Sequence, residues 1–168
     1  LLVLAAIGIK LSSPGPVFFR HSRVGRHEQP FEIFKFRSMT VDPQRQLSQT
    51  QLQDPGVFPL GRVMRRLKID ELPQIINVLL GDMSLVGPRP CMAETVTQMP
   101  DWARRRFEVR PGMTGVAQIN GGVTIPWEER WRYDVQYVER LSFLLDLGIV
   151  LKTVAVVALG EERFRSKA

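Results

Sequence analysis

Two adjacent carboxylates, Asp70 and Glu71, follow a basic run in which Arg62, Arg65, Arg66 and Lys68 fall within seven positions. Pro73 suits a first helical turn and Gly81 suits a helix end, so the spacing predicts a short buried helix over 73–80. Asp70 and Glu71 would then stand just before its N-terminus, where unpaired amides and the helix dipole stabilise negative charge. Simple acidic capping gives the same pattern. The neighbours favour more: Arg65 and Arg66 reach the side of the acids if the backbone turns at Ile69. A few residues on, Pro88 and Pro90 clamp Arg89 in a segment that cannot be helical. A carboxylate pair flanked by preorganised arginines, with no His or Cys close by in sequence, points to phosphoryl chemistry assisted by a hard divalent metal.

Composition limits the alternatives. A chain of 168 residues, 44% hydrophobic and 24% charged, suits one folded domain rather than a disordered segment or a polytopic membrane bundle. Its one cysteine, Cys91, cannot form an internal disulfide. With only His21 and His27 beside it, a Cys/His zinc cage is excluded, and a reducing compartment fits. The net charge of +6 is unevenly placed: residues 1–68 hold 11 basic and 4 acidic side chains, and residues 69–168 hold 12 and 13. Arg outnumbers Lys by 18 to 5, which suits bidentate contacts to phosphate or carboxylate. Nucleic acid, an anionic membrane surface and a nucleotide substrate all remain open on charge alone, as does an inert basic face.

Several elements must position these residues. The apolar run Leu1 to Leu11 is too short to span a bilayer and reads as the tail of a longer hydrophobic segment, or as a short buried helix. Ser12-Ser13-Pro14-Gly15-Pro16 stops any helix that precedes it. Val17–Arg20 and Phe31–Arg37 read as strands joined through Gly25–Gln29, either an ordinary half-buried hairpin or one that offers Lys35 or Arg37 to an anion or a lipid interface. Val41–Pro59 is a polar connection or a short surface helix. Phe143–Gly160 is mostly apolar but carries Asp146 and Lys152, so it reads as an interfacial or docked helix rather than a spanning one. Trp102, Trp127, Trp131 and Phe143 suit either headgroup depth or a core.

Five motifs, in order, resemble the bacterial sugar transferase family, the monotopic polyprenyl-phosphate phosphoglycosyl transferases. They are Ser13–Arg20, Phe34–Met39, Asp70-Glu71-Leu72-Pro73-Gln74, Gly81–Pro90 and Arg110–Gly115. The resemblance covers about Leu11 to Leu159. It implies transfer of a sugar 1-phosphate from a nucleoside diphosphate sugar, usually a UDP-sugar, to undecaprenyl (polyprenyl) phosphate with release of UMP. That reaction starts exopolysaccharide, O-antigen or related glycan assembly. By the same resemblance Asp70 is the nucleophile that forms an aspartyl phosphosugar, and Glu71 helps Asp70 hold Mg²⁺. Arg65 and Arg89 bind phosphate oxygens, Lys35 is a further site candidate, and Asp134 and Asp146 are secondary ones. Where many members carry Gly-Arg this chain has Gly121-Gly122, which puts sugar choice in question.

The implied architecture is α+β and helix-dominated, with a small β-hairpin, amphipathic interfacial helices and the remnant of an N-terminal re-entrant membrane helix. Residues 1–11 would be the trailing part of that helix and residues 12–168 the catalytic domain. The domain would lie on the cytoplasmic face of the bacterial inner membrane, its site turned toward the lipid. Partners would be the UDP-sugar, polyprenyl phosphate and membrane lipid, with no nucleic acid; a homo-oligomer stays open. Two rivals remain: a basic nucleic-acid-binding module using Arg104-Arg105-Arg106, and a non-catalytic membrane scaffold.

Overall fold

The computed structural model describes residues 2–41 and 54–159. Most of the polar connection expected over residues 41–59 therefore lies outside the described residues. Helices dominate, and two small two-stranded sheets accompany them. The chain forms two compact units, one of Leu1–Arg20 with Phe34–Pro73, the other of His21–Ile33 with Gln74–Ala168. The expected hairpin is present as β1 (Phe18–Val24) and β2 (Pro30–Phe36), and the division between units cuts across it.

In the first unit α1 (Leu2–Ser12) ends at the Ser-Pro-Gly-Pro stop, as the missing proline donors require. Arg37 secures that end. Its buried guanidinium donates to the Ser13 and Pro14 carbonyls, both at 2.6 Å, and to Ser13 Oγ at 3.0 Å. A cation on carbonyls just past a helix C-terminus is favourable, so Arg37 serves the chain break rather than an external anion. Ala5 and Ile9 pack with Phe36, Phe58 and Met64, while Leu2, Val3, Leu4, Ile7 and Leu11 stay exposed. The helix is thus only half buried.

Next comes α2 (Pro59–Arg66), begun by a proline at its first position, where a missing N–H costs nothing. Gly61 lets it approach the β2 side closely, since a Cβ there would run into the Ser38 carbonyl. Gly61→Ala should therefore cost about 1–3 kcal/mol through overpacking. Gly148, with open space around its Cα, should become up to about 1 kcal/mol more stable as Ala. Thermal unfolding of the two variants in detergent checks this opposite pair of signs.

The second unit has two apolar clusters. One joins Val24, Cys91, Val96, Met99, Ala103, Phe107 and Trp131; the other joins Val86, Ile119, Tyr137, Ile149 and Val156. Here α3 (Ile75–Leu80) ends at Gly81, whose φ of 86° is the left-handed cap expected of it. The helix is not buried as predicted, however. Only Asn77 is enclosed, while Ile75, Ile76, Leu79 and Leu80 are 39%, 38%, 81% and 66% exposed. Asn77 Nδ2 donates to the Glu32 carbonyl at 2.7 Å, so α3 is fastened by its polar residue.

A parallel pair, β3 (Ser84–Val86) and β4 (Gly112–Thr114), was not predicted; three-residue strands leave little periodic signal. Gly87 and Gly112 permit it, because a Cβ on either would meet the backbone of the other. Among the described residues the unit also holds four further α-helices, α4 (Ala93–Thr97), α5 (Val116–Ile119), α6 (Trp127–Arg140) and α7 (Phe143–Leu159), and 3₁₀ stretches that include Asp101–Glu108. In α7, Ile149 and Val156 are buried, whereas Phe143, Leu144, Leu151 and Val154 are well exposed. No helix among the described residues is long and apolar enough to cross a membrane. Trp131 belongs to the core, while Trp102, Trp127 and Phe143 keep exposed surface.

Candidate active site

The first unit gathers four of the predicted site residues. After α2 the chain reverses at Lys68, whose φ of 56° is left-handed, one residue before the expected turn at Ile69. Ile69–Gln74 then winds as a 3₁₀ turn, with the Glu71 N–H donating to the Lys68 carbonyl at 3.2 Å. Asp70 and Glu71 therefore lie within the first turn and not ahead of it, because the tight reversal restarts the helix early. The charges of Arg65 and Lys68 act on Asp70, whereas Arg66 is exposed.

Strand β2 supplies the other side. Lys35 Nζ donates to Glu71 Oε1 at 2.8 Å in a partly buried pair. Two residues past β2's end, Ser38 Oγ accepts from Arg65 Nε at 2.9 Å, so one segment, Lys35 to Ser38, orients both a lysine and an arginine of the site. Sequence reasoning missed Ser38 and Lys68. Ser38 lies in the matched Phe34–Met39 motif, and Lys68 in the basic run; each was hidden by more conspicuous neighbours.

The electrostatics of Asp70 are unusual. Only 8% exposed, its carboxyl is pushed up to about 6, first by burial and next by the adjacent Glu71 charge, with Lys35, Arg65 and Lys68 pulling the other way. Desolvation with a like charge beside it outweighs three cations, a state typical of a group poised to react. The pair also fits a hard divalent cation. Two neighbouring carboxylates offer oxygen ligands whose mutual repulsion a cation would relieve. Among the described residues no group of three or more Asp, Glu, His or Cys side chains assembles.

Arg89, Asp134 and Asp146 lie in the second unit. The Pro88-Arg89-Pro90 segment is non-helical, as expected. Asp134 is buried against Arg106, at 2.9 Å from Nη2 and 3.0 Å from Nε, rather than paired to Arg130, Arg132 or Arg140. Burial pushes its carboxyl up to about 6 against the pull of Arg106. Asp146 accepts from the Tyr137 hydroxyl at 2.8 Å. Within α6 and its approach, Arg130 donates to the Ile125 and Val123 carbonyls and Arg132 pairs with Glu128.

The arginine run that the nucleic-acid reading relied on is largely spent internally. Arg104 pairs with Glu28 at 2.7 Å, Arg105 with Glu139 at 2.6 Å, and Arg106 with Asp134. Gly121 and Gly122 have φ of 122° and 51°, so the loop that replaces Gly-Arg turns through two left-handed positions.

Similarity to known proteins now decides the family. The profile described as "Bacterial sugar transferase" matches residues 1–160. The chain belongs to the bacterial sugar transferase family. Among its relatives is EpsL of Bacillus subtilis (strain 168), named an uncharacterized sugar transferase; the two are 44% identical over 96% of this chain and 78% of the relative. The UDP-glucose:undecaprenyl-phosphate glucose-1-phosphate transferase of Caulobacter vibrioides is also 44% identical, over 92% of this chain. The Escherichia coli (strain K12) protein of the same name is 43% identical over 91%. This chain spans 61% of the Caulobacter sugar transferase and 35% of the Escherichia coli one.

Proposed function

We propose that this sugar transferase moves a sugar 1-phosphate from a UDP-sugar to undecaprenyl phosphate, by way of a covalent intermediate on Asp70. The observation that carries the proposal is the buried Asp70 carboxyl with Glu71 beside it and the charges of Lys35, Arg65 and Lys68 acting on it. The names of the Caulobacter and Escherichia coli relatives support the donor and acceptor classes.

In this reading an Asp70 carboxylate oxygen attacks the phosphorus that bears the sugar. The bond from that phosphorus to the bridging oxygen breaks, and UMP departs with the electron pair. Lys35 and Arg65 would bind phosphate oxygens and stabilise the charge that spreads over them, and by the family resemblance Arg89 is a further phosphate-binding candidate. A phosphate oxygen of undecaprenyl phosphate then attacks the same phosphorus and restores the Asp70 carboxylate, so two easier displacements replace one. Mg²⁺ held by Glu71 and Asp70 would offset the repulsion between an anionic nucleophile and an anionic diphosphate. Asp146, tied to Tyr137, and Asp134, tied to Arg106, stay secondary candidates.

The exposed apolar residues of α1, α3 and α7 favour a membrane surface for the acceptor. In this reading α1 contacts the membrane, and the catalytic part lies on the cytoplasmic side of the inner membrane. With protein reconstituted in liposomes, UDP-sugar, undecaprenyl phosphate and Mg²⁺ should give UMP; UDP as the nucleotide product would instead mean direct glycosyl transfer.

A pH dependence follows from the Asp70 environment. The nucleophile reacts when ionised, and its carboxyl is raised to about 6, so activity grows with pH through that value and levels off above it. At limiting Mg²⁺, kcat/KM at pH 5 should be about a tenth of that at pH 7. An ordinary carboxyl would leave the rate flat across that interval.

A further inference from the structure

The segment Gly87 to Cys91 is fastened at almost every residue. The Gly87 N–H donates to the Thr114 carbonyl at 2.9 Å, and the Pro88 carbonyl accepts from the Gly112 N–H at 2.9 Å. The Cys91 carbonyl accepts from the Val24 N–H at 2.9 Å. Between these main-chain bonds, the Arg89 carbonyl is held by a side chain: Arg106 Nη2 donates to it at 2.6 Å. The same guanidinium reaches Asp134 Oδ2 through Nε and Nη2, and both side chains of that pair are 3% exposed.

This pair is poorly arranged to add stability. Asp134 Oδ1 is buried with no hydrogen-bond partner, and beyond Asp134 and the Arg89 carbonyl Arg106 has only the weakly accepting Cys91 thiol, so an ion pair this incompletely satisfied does not outperform an apolar pair of the same volume. An apolar pair could not, however, grip the Arg89 carbonyl. With Pro88 and Pro90 limiting the backbone on either side, that grip fixes the main chain from which the Arg89 side chain departs.

We infer that Arg106, oriented by Asp134, is a positioning residue that sets Arg89 for the donor phosphates. The inference rests on the phosphate-binding reading of Arg89 given above. Asp134 then acts by way of Arg106 and Arg89, without touching substrate itself.

The test uses the full-length protein reconstituted in liposomes, with UDP-glucose as donor probe, and compares Arg89→Ala, Arg106→Lys and their double variant. Arg106→Lys should keep its unfolding midpoint close to the parent and lower kcat/KM about 10–100-fold, since small misplacement of an orienting group is costly. Because Arg106 acts through Arg89, adding Arg106→Lys to Arg89→Ala should cause less than a twofold further loss. Losses that multiply in the double variant, or parent-like kinetics in Arg106→Lys, overturn the inference while leaving the Arg89 reading intact. Parent-like kinetics in Arg89→Ala overturn the Arg89 reading, and the inference with it. Should Arg106→Lys fail to fold, Asp134→Asn, which keeps the volume, replaces it in the same cycle with the same criteria.

Discussion

Asp70→Asn should abolish UMP release, by at least about 10³-fold in kcat, with little change in unfolding midpoint. Asparagine matches aspartate in shape but offers phosphorus no anionic oxygen, so the first displacement has no nucleophile. Stability should hold because the carboxyl is already costly in place: burial and Glu71 both oppose its charge, and they push it up to about 6. Removing a charge that the fold disfavours does not weaken the fold. A residue that served only to cap the turn would behave the other way, losing stability and keeping turnover. The measurement is a paired one, UMP release and thermal unfolding on the same preparation.

Glu71→Gln should act differently, and in two directions at once. Losing one of two carboxylates should raise the Mg²⁺ concentration for half-maximal rate about 10–100-fold. It also deletes the like charge that raises Asp70, and turns the 2.8 Å ion pair with Lys35 into a neutral hydrogen bond to an amide oxygen, leaving the ammonium charge uncompensated. Both changes favour the ionised nucleophile, so the rising limb of the pH profile should move below 6. Lys35→Met has the opposite sign: Lys35 lowers the Asp70 value, so its loss should move the limb upward. Mg²⁺ titrations and pH profiles of the two variants check these shifts. A Glu71 that merely anchored Lys35 would give two variants shifted the same way, with Mg²⁺ dependence unchanged.

Much of this site was legible because its residues sit close together in sequence. Arg65, Lys68, Asp70 and Glu71 occupy one reversal, and the acids beside a basic run pointed to phosphoryl chemistry before any contact was known. Lys35 lies 36 positions from Glu71, and its place came through the matched Phe34–Met39 motif. What stayed hidden depends on side-chain direction. The Arg104-Arg105-Arg106 run reads as one patch of charge, yet Arg106 alone turns inward to Asp134 and the Arg89 carbonyl. No spacing rule predicts which of three neighbouring arginines faces the core.

The elements divide similarly. The β1–β2 hairpin and the helix stops at Ser12-Ser13-Pro14 and Gly81 followed from proline, glycine and alternation. The burial of α3 was misjudged for a physical reason. A run such as Ile75–Leu80 looks the same whether its apolar side chains meet a protein core or remain exposed at 38–81%. The parallel contact of β3 with β4 depends on two glycines, Gly87 and Gly112, whose closeness no local pattern announces.

The covalent step is tested most directly without the acceptor. Full-length protein in liposomes free of undecaprenyl phosphate, given Mg²⁺ and a UDP-sugar labelled in the sugar-bearing phosphate, should release a single burst of UMP. The label should be recovered on the peptide containing Asp70, and adding undecaprenyl phosphate should discharge it into lipid. Turnover that needs the acceptor present before any UMP appears, with no label on the Asp70 peptide, would contradict the account and indicate one direct displacement.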